Sequence, residues 1–248
     1  MHDPLLLAAV RNNADWCDAV CRARGIARRF TERLWINERA TPPYYPNIIM
    51  LRSTSEALMR ELGDTIVRVR GAVGDQISIK DSFADVDLAP FGLRVLFDAQ
   101  WIGRRATLAA PPSSVAGVEW TSVRDEGGLD AWKTAWDREI LAVDPIFSPD
   151  LLDNTDVAFI AGRRGGVIVA GAIVNKSAGA VGLSNVFALT EDARAFRAGC
   201  VAAAMAWAPG MPIVGYESGD ALGAALELGF EPLGPLRVWV ATSAEHSS

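Results

Sequence analysis

The chain has 248 residues, with 24 Lys and Arg against 30 Asp and Glu and a net charge of −6, which speaks against a broad electropositive face for nucleic acid. Half of its residues are hydrophobic and 22% are charged, a composition that builds one large core or two small ones and excludes a disordered chain. Its two histidines, His2 and His246, stand at opposite ends, so a histidine triad, a HExxH zinc site and a two-histidine iron site are excluded and no metal is expected.

The first element reads as a helix: Leu5 to Leu7, Val10, Ala14, Cys17, Val20 and Cys21 recur near a period of 3.6, and Gly25 supplies a stop. Asp3, Pro4 and Arg11 leave it unsuited to be a signal peptide. Cys17, Cys21 and Cys200 are too few for a secreted disulfide framework and read as core packing. Phe30 to Ile36 alternates as a half-buried strand does, and Pro42 to Pro46 leads stiffly into a strand over Asn47–Leu51. Ser53 or Ser55 can cap a helix reaching Leu62 or beyond. A strand at Ile77–Ile79, a short helix near Ala84–Ala89 and a strand around Arg94–Trp101 follow. Residues 108–117, small and uncharged with adjacent prolines and serines, read as a linker between domains.

Beyond it come a strand over Val118–Arg124, a helix carrying Trp132 and Trp136, and a hairpin of Val157–Ala161 with Val167–Val174. Arg163 and Arg164 occupy the hairpin tip. A strand over Val181–Leu189, an alanine-rich helix from Glu191 to Trp207, a strand at Ile213–Glu217, a helix over Asp220–Leu228 and a strand over Glu231–Val240 complete the order. The longest apolar stretch, Ala198–Ala208, is too short for a membrane helix. A soluble cytoplasmic protein with no membrane or nucleic-acid partner is expected, its residues 243–248 a disordered tail.

One block recurs. Ile79 to Ser82 is followed ten residues later by Gly92, and Gly215 to Ser218 is followed by Gly229, with the serines 136 residues apart. Either any strand–helix–glycine–strand unit looks this way, or the chain holds a duplicated unit with unequal halves.

From Val118 to Thr242 the chain resembles the GCN5-related N-acetyltransferase (GNAT) family. Three features carry the resemblance: the element order, the strand Val181 to Ala188 running into an alanine-rich helix, and Ala224-Ala-Leu-Glu-Leu-Gly-Phe230 before the last strand. It implies an α/β (α+β) fold, a mixed and largely antiparallel sheet flanked by helices. With the repeat, it implies a degenerate half of the same kind within residues 1–107, of which 47–103 form a truncated copy, and the complete unit at 118–242. Acetyl-CoA or another acyl-CoA would be co-substrate, a small-molecule amine the acceptor, and the protein a monomer or homodimer.

The resemblance also assigns residues. Backbone at Asn185, Val186 and Phe187 would bind the pantetheine arm, with Ser184 or Asn185 turned to the cleft. The family's phosphate loop matches Arg194-Ala-Phe-Arg197-Ala198-Gly199, where Arg197 replaces a glycine and either obstructs the phosphates or pairs with them. The acid tyrosine of the late helix is replaced by Ala225, and the asparagine before it by Ser218, a polar group still able to bond pantetheine. Glu217 is the nearest candidate base, or else a solvated strand end, and Tyr216 a surrogate acid; alternation lets at most one of them point inward. Trp132, Trp136, Tyr44 and Tyr45 read as core or interface, Asp85 and Asp87 as capping or surface. Two functions are carried forward, an N-acyltransferase and an inactive module that binds an acyl-CoA, another small molecule or a protein.

Overall fold

A computed structural model describes residues 2–112, 115, 117–137, 146–189 and 193–242. The chain opens with α1 (Pro4–Ala23), whose Pro4 opens the helix while Asp3 accepts the Leu5 N–H at 2.8 Å. Gly25, at φ 66°, turns the chain out of it. Eleven strands then form one sheet: β1 (Arg28–Phe30), β2 (Leu34–Asn37), β3 (Ile48–Met50), β4 (Ser78–Asp81), β5 (Leu93–Arg104), β6 (Val118–Ser122), β7 (Val157–Arg164), β8 (Val167–Ser177), β9 (Ala180–Ala188), β10 (Ile213–Glu217) and β11 (Glu231–Ala241). Their spatial order is β1-β2-β3-β4-β11-β5-β10-β9-β8-β7-β6. Only β3–β4 and β9–β10 pair in parallel; every other pair is antiparallel.

Strand alternation sorts the helices onto two faces. Trp35, Ile49, Trp101, Val214 and Val238 share one core with α1 and with α3 (Glu126–Trp136). Their neighbours Leu34, Ile36, Ile48 and Trp239 pack on the other face against α2 (Glu56–Val73). On that second face Ile102, Ile160 and Ile213 meet α4 (Ala193–Trp207) and α5 (Gly219–Glu227).

Two local expectations need correction, and the helix capped by Ser55 takes the longer of its expected extents. Phe30 to Ile36 is not one strand: the Thr31 hydroxyl accepts the N–H groups of Arg33 and Leu34 at 3.1 and 2.9 Å and turns the chain into the β1–β2 hairpin. The helix capped by Ser55 runs on to Val73. No helix spans Ala84–Ala89, because Asp81 accepts the N–H groups of Phe83 and Val86 and holds a loop that ends in one helical turn, Ala89–Phe91.

The segment expected as a linker, 108–117, leads from central β5 to edge strand β6 of the same sheet. Its residues 113, 114 and 116 lie outside the described residues, as does the tail 243–248. The first segment's last strand, β5, lies between β10 and β11 of the second, so the two segments share one ladder. The pairing around this centre repeats: Asp81 pairs with Arg237 as Glu217 pairs with Gln100, Lys80 with Val238 as Tyr216 with Trp101, and Ile79 with Trp239 as Gly215 with Ile102. The recurrent block of the sequence thus coincides with a recurrent register in the sheet.

Candidate active site

The parallel pair β9–β10 holds together for two residue pairs, Val181 with Ile213 and Gly182 with Val214. Beyond them β10 pairs only with β5, so the facing edge of β9 has no strand partner and the sheet opens. A bulge widens the departure. Phe187 pairs with Gly171 and Ser184 with Ile173, leaving Asn185 and Val186 opposite Ala172 alone, with Asn185 at φ 51°. The opening is a cavity of about 270 Å³ that Ser184, Asn185, Val186, Tyr216 and Glu217 line together with residues of α1.

α1 is fixed over this opening by a buried amide knot. Asn12 donates to the carbonyls of Asn175, Ser177 and Ala180, and Asn175 returns a hydrogen bond to Asn12 Oδ1 at 3.0 Å. Gly182 is where the knot sits: a Cβ there would run into both asparagine side chains. The next turn of α1 then delivers Asn13, Trp16 and Cys17 to the cavity wall. Burial pushes the Cys17 thiol up to about 12 against the opposing pull of Lys80, which disfavours the thiolate.

Tyr216 and Glu217 project to opposite faces, as alternation requires, yet both reach the opening because the sheet is parted there. Tyr216 lies on the α1 face, edge-on to Trp101 with centroids 5.5 Å apart. Glu217 lies on the α4 and α5 face, its carboxylate 3.9 Å from the Arg197 guanidinium. Burial raises the Glu217 carboxyl above its ordinary range, and Arg197 opposes the shift. The Ser184 hydroxyl is buried in the same opening and has no hydrogen-bond partner among the described residues.

A groove of about 500 Å³ continues from the opening between the start of α4 and α5, lined by Arg194, Arg197, Asp220 and Glu227. Arg194 pairs with Glu227 at 3.2 Å across it. The anion cradle is expected at Arg197, Ala198 and Gly199. These residues lie within α4, where backbone N–H groups bond to carbonyls four residues back, and residues 190–192, which lead into α4, lie outside the described residues. Gly199 serves packing, since a Cβ there would collide with the indole of Trp120. Ala198 is buried in the helix, and the Phe187 ring packs 5.2 Å from Trp132. Ser218 is exposed at the start of α5, where its side chain forms no capping bond.

Of the expected site residues, then, Asn185, Val186, Arg197, Tyr216 and Glu217 converge on the opening and Arg194 on the adjoining groove. Phe187, Ala198, Gly199 and Ser218 line neither. Sequence reasoning missed Lys80, Asn13 and Trp101, which line the α1 side. One signal was available: the chain has three lysines against 21 arginines, and Lys80 stands in a strand between Ile79 and Asp81. Among the described residues no three His, Cys, Asp or Glu side chains gather as a metal site would need, and no helix is long and apolar enough to cross a membrane.

No protein-family model matches the chain, and no curated protein matches its sequence. Solved structures do. A GCN5-related N-acetyltransferase from Kribbella flavida superposes with a TM-score of 0.67 at 14% identity, over 96% of this chain and 97% of that one. A functionally unknown conserved protein from Staphylococcus epidermidis gives 0.64 at 13%, over 88% and 94%. A GNAT-family acetyltransferase structure from Novosphingobium aromaticivorans gives 0.58 at 14%, over 97% and 100%. The chain has the GNAT fold, and the likeness extends through the first segment as well as the second.

Proposed function

We propose that this protein is an acyl-CoA-dependent N-acyltransferase that moves an acetyl or other acyl group onto a small-molecule amine in the cytoplasm. The observation that carries the reading is the parted β9–β10 edge, which opens through the sheet with Glu217 on one side, Tyr216 on the other and an unpartnered Ser184 hydroxyl between. An acyl-CoA supplies an activated thioester, and the residues present fit such a molecule. The free β9 edge at Asn185 and Val186 would hold the pantetheine arm and, with Ser184, polarise the thioester carbonyl. The opening turn of α4, with Arg194 and Arg197, would face the phosphates in the groove. Glu217 would take the proton from the attacking amine, its raised pKa suiting it to that task, and Tyr216 would protonate the leaving sulfur. Residues 47–103 are read as a second, truncated copy of the same unit, a reading that the repeated register around β5 and β11 supports.

One observation favours the second reading, an inactive module that binds an acyl-CoA, another small molecule or a protein: both groove arginines already face carboxylates, Glu217 and Glu227. A calorimetric titration with acetyl-CoA tests whether the co-substrate binds, and release of free CoA thiol on adding a panel of amines separates a transferase from a module that only binds. Saturable binding that weakens with added salt is expected. No saturable heat at millimolar acetyl-CoA would remove the transferase reading.

A further inference from the structure

We infer that the acceptor is an amine that also carries a carboxylate, held by the ammonium of Lys80; the inference rests on the transferase reading and deepens it. Lys80 is 3% exposed. It projects from β4 to the α1 face, where its Nζ donates to Asn13 Oδ1 at 2.7 Å and stands 4.3 Å from the centre of the Tyr216 ring. Asn13 and Tyr216 both line the cavity, and so does Lys80 itself.

An ammonium has three protons to donate, and one amide oxygen with two aromatic faces, Tyr216 at 4.3 Å and Trp101 at 6.0 Å, leaves it without a counter-charge in a place water reaches poorly. A buried charge in this state needs a counter-charge. Among the described residues no carboxylate pairs with Lys80. The nearby acids are engaged elsewhere: Asp81 accepts from Phe83 and Val86 on the far face, Asp18 binds Arg28 and the Trp35 indole, and Glu217 faces Arg197.

Charge within the cavity points the same way. Its charged lining residues are Lys80, Arg197 and Glu217. Arg197 and Glu217 offset one another at 3.9 Å, which leaves the positive charge of Lys80 uncompensated at the closed, α1 end. A neutral amine cannot supply the missing charge, and a simple ammonium would add to the excess. An amino carboxylate satisfies both ends, its anion at Lys80 and its nitrogen toward the parted strands where Glu217 can take a proton, directly or through water. Trp16, Tyr45 and Trp101 give the body of such a molecule aromatic walls.

The test is calorimetry on the wild-type protein with glycine, β-alanine and γ-aminobutyrate, each against its own carboxamide, so that nitrogen-to-carboxylate spacing is varied while the amine is kept. At least one acid is expected to bind saturably and tenfold or more tighter than its amide. In Lys80→Met that preference is expected to fall to within twofold. Exchanging a buried ammonium for an apolar chain of similar shape is tolerated in folded proteins, and near-ultraviolet circular dichroism checks that the variant is native. Asn13→Leu, which keeps the charge but removes its anchor, is expected to lower the preference less.

Equal binding of acids and amides, no binding by any acid, or a preference that survives Lys80→Met would each overturn the assignment. So would acetylation of Lys80 itself after incubation with acetyl-CoA, read by peptide mass spectrometry, since Lys80 would then be acceptor and not anchor. Acetyl-CoA is titrated on the same sample: if it fails to bind while the acid preference stands, the transferase reading fails and the carboxylate site remains.

Discussion

The two parallel strand pairs of the sheet start alike and end differently. In β3–β4 as in β9–β10 the parallel pairing covers only two residue pairs, but it falls at Ile79 and Lys80 of β4, directly before Asp81, and at Ile213 and Val214 of β10, with Gly215 and Tyr216 still to come before Glu217. Asp81 and Glu217 occupy corresponding places. Asp81 is fully buried and accepts two amides of its own adjoining loop, which folds back over the strand end. Glu217 is succeeded by α5, which stands away from the strand and leaves the carboxylate facing a cavity and an arginine. One strand end is therefore a sealed joint and the other an opening. Both the reach of the parallel pairing and the segment that leaves the strand end, loop or helix, differ between them.

The sharpest way to break this comparison is to remove each carboxylate in turn. Glu217→Gln keeps shape but cannot accept a proton, and turnover is expected to fall ~10²–10⁴-fold with acetyl-CoA affinity nearly unchanged, read by steady-state kinetics beside calorimetry. Asp81→Ala should do the reverse. It strands two buried amides, so denaturant melts are expected to show a loss of about 2–4 kcal/mol while the folded protein keeps its acetyl-CoA affinity. If the Asp81 variant instead loses turnover and keeps its stability, the two sites are not the contrast drawn above.

Gly199→Ala sharpens the distinction between packing and phosphate binding. With Trp120 in the way, overpacking is expected to cost about 1–3 kcal/mol in thermal or urea unfolding, with acetyl-CoA affinity in the folded fraction within about twofold of wild type. The smallest effect concerns pH. Burial raises Glu217, so its carboxyl is protonated, and unable to act as a base, up to a pH above the ordinary carboxylate range. Activity should thus decline on acidification with a midpoint above that range. Arg197→Met removes the opposing attraction and should move this midpoint to still higher pH; a shift to lower pH would show that the pair does not act on the base.

Much of the fold was legible because its signals are local. The 3.6-residue period of α1, the turn chemistry of the β7–β8 hairpin and the stop after α4 each lie within a few residues of the structure they specify. The serine-to-glycine block is longer in range, yet it marked β4 and β10, which prove to share a register. The candidate site was legible only in part. Asn185, Val186, Tyr216 and Glu217 were placed by their position on β9 and β10. Gly199 is ambiguous in the sequence because helix packing and phosphate approach make the same demand for a missing side chain, and the structure shows the packing demand. Lys80, Asn13 and Trp101 come from three separate elements of the first segment. Their convergence depends on β5 entering the centre of the sheet and on the Asn12–Asn175 knot, and neither has a local signature.

The placement of β11 between β4 and β5 also bears on how the protein is made. A ribosome delivers β1 to β5 first, but β4 and β5 have a vacant lane between them until residues 231–241 have emerged. Until then two unpaired strand edges are exposed, the arrangement most prone to join a neighbouring chain. The second segment is bound by the same rule, since β10 and β11 meet only through β5. Contacts so distant in sequence close slowly, because loop entropy is lost before the ladder repays it. Neither segment can finish its sheet alone, and folding of both is deferred until residues 231–241 are available.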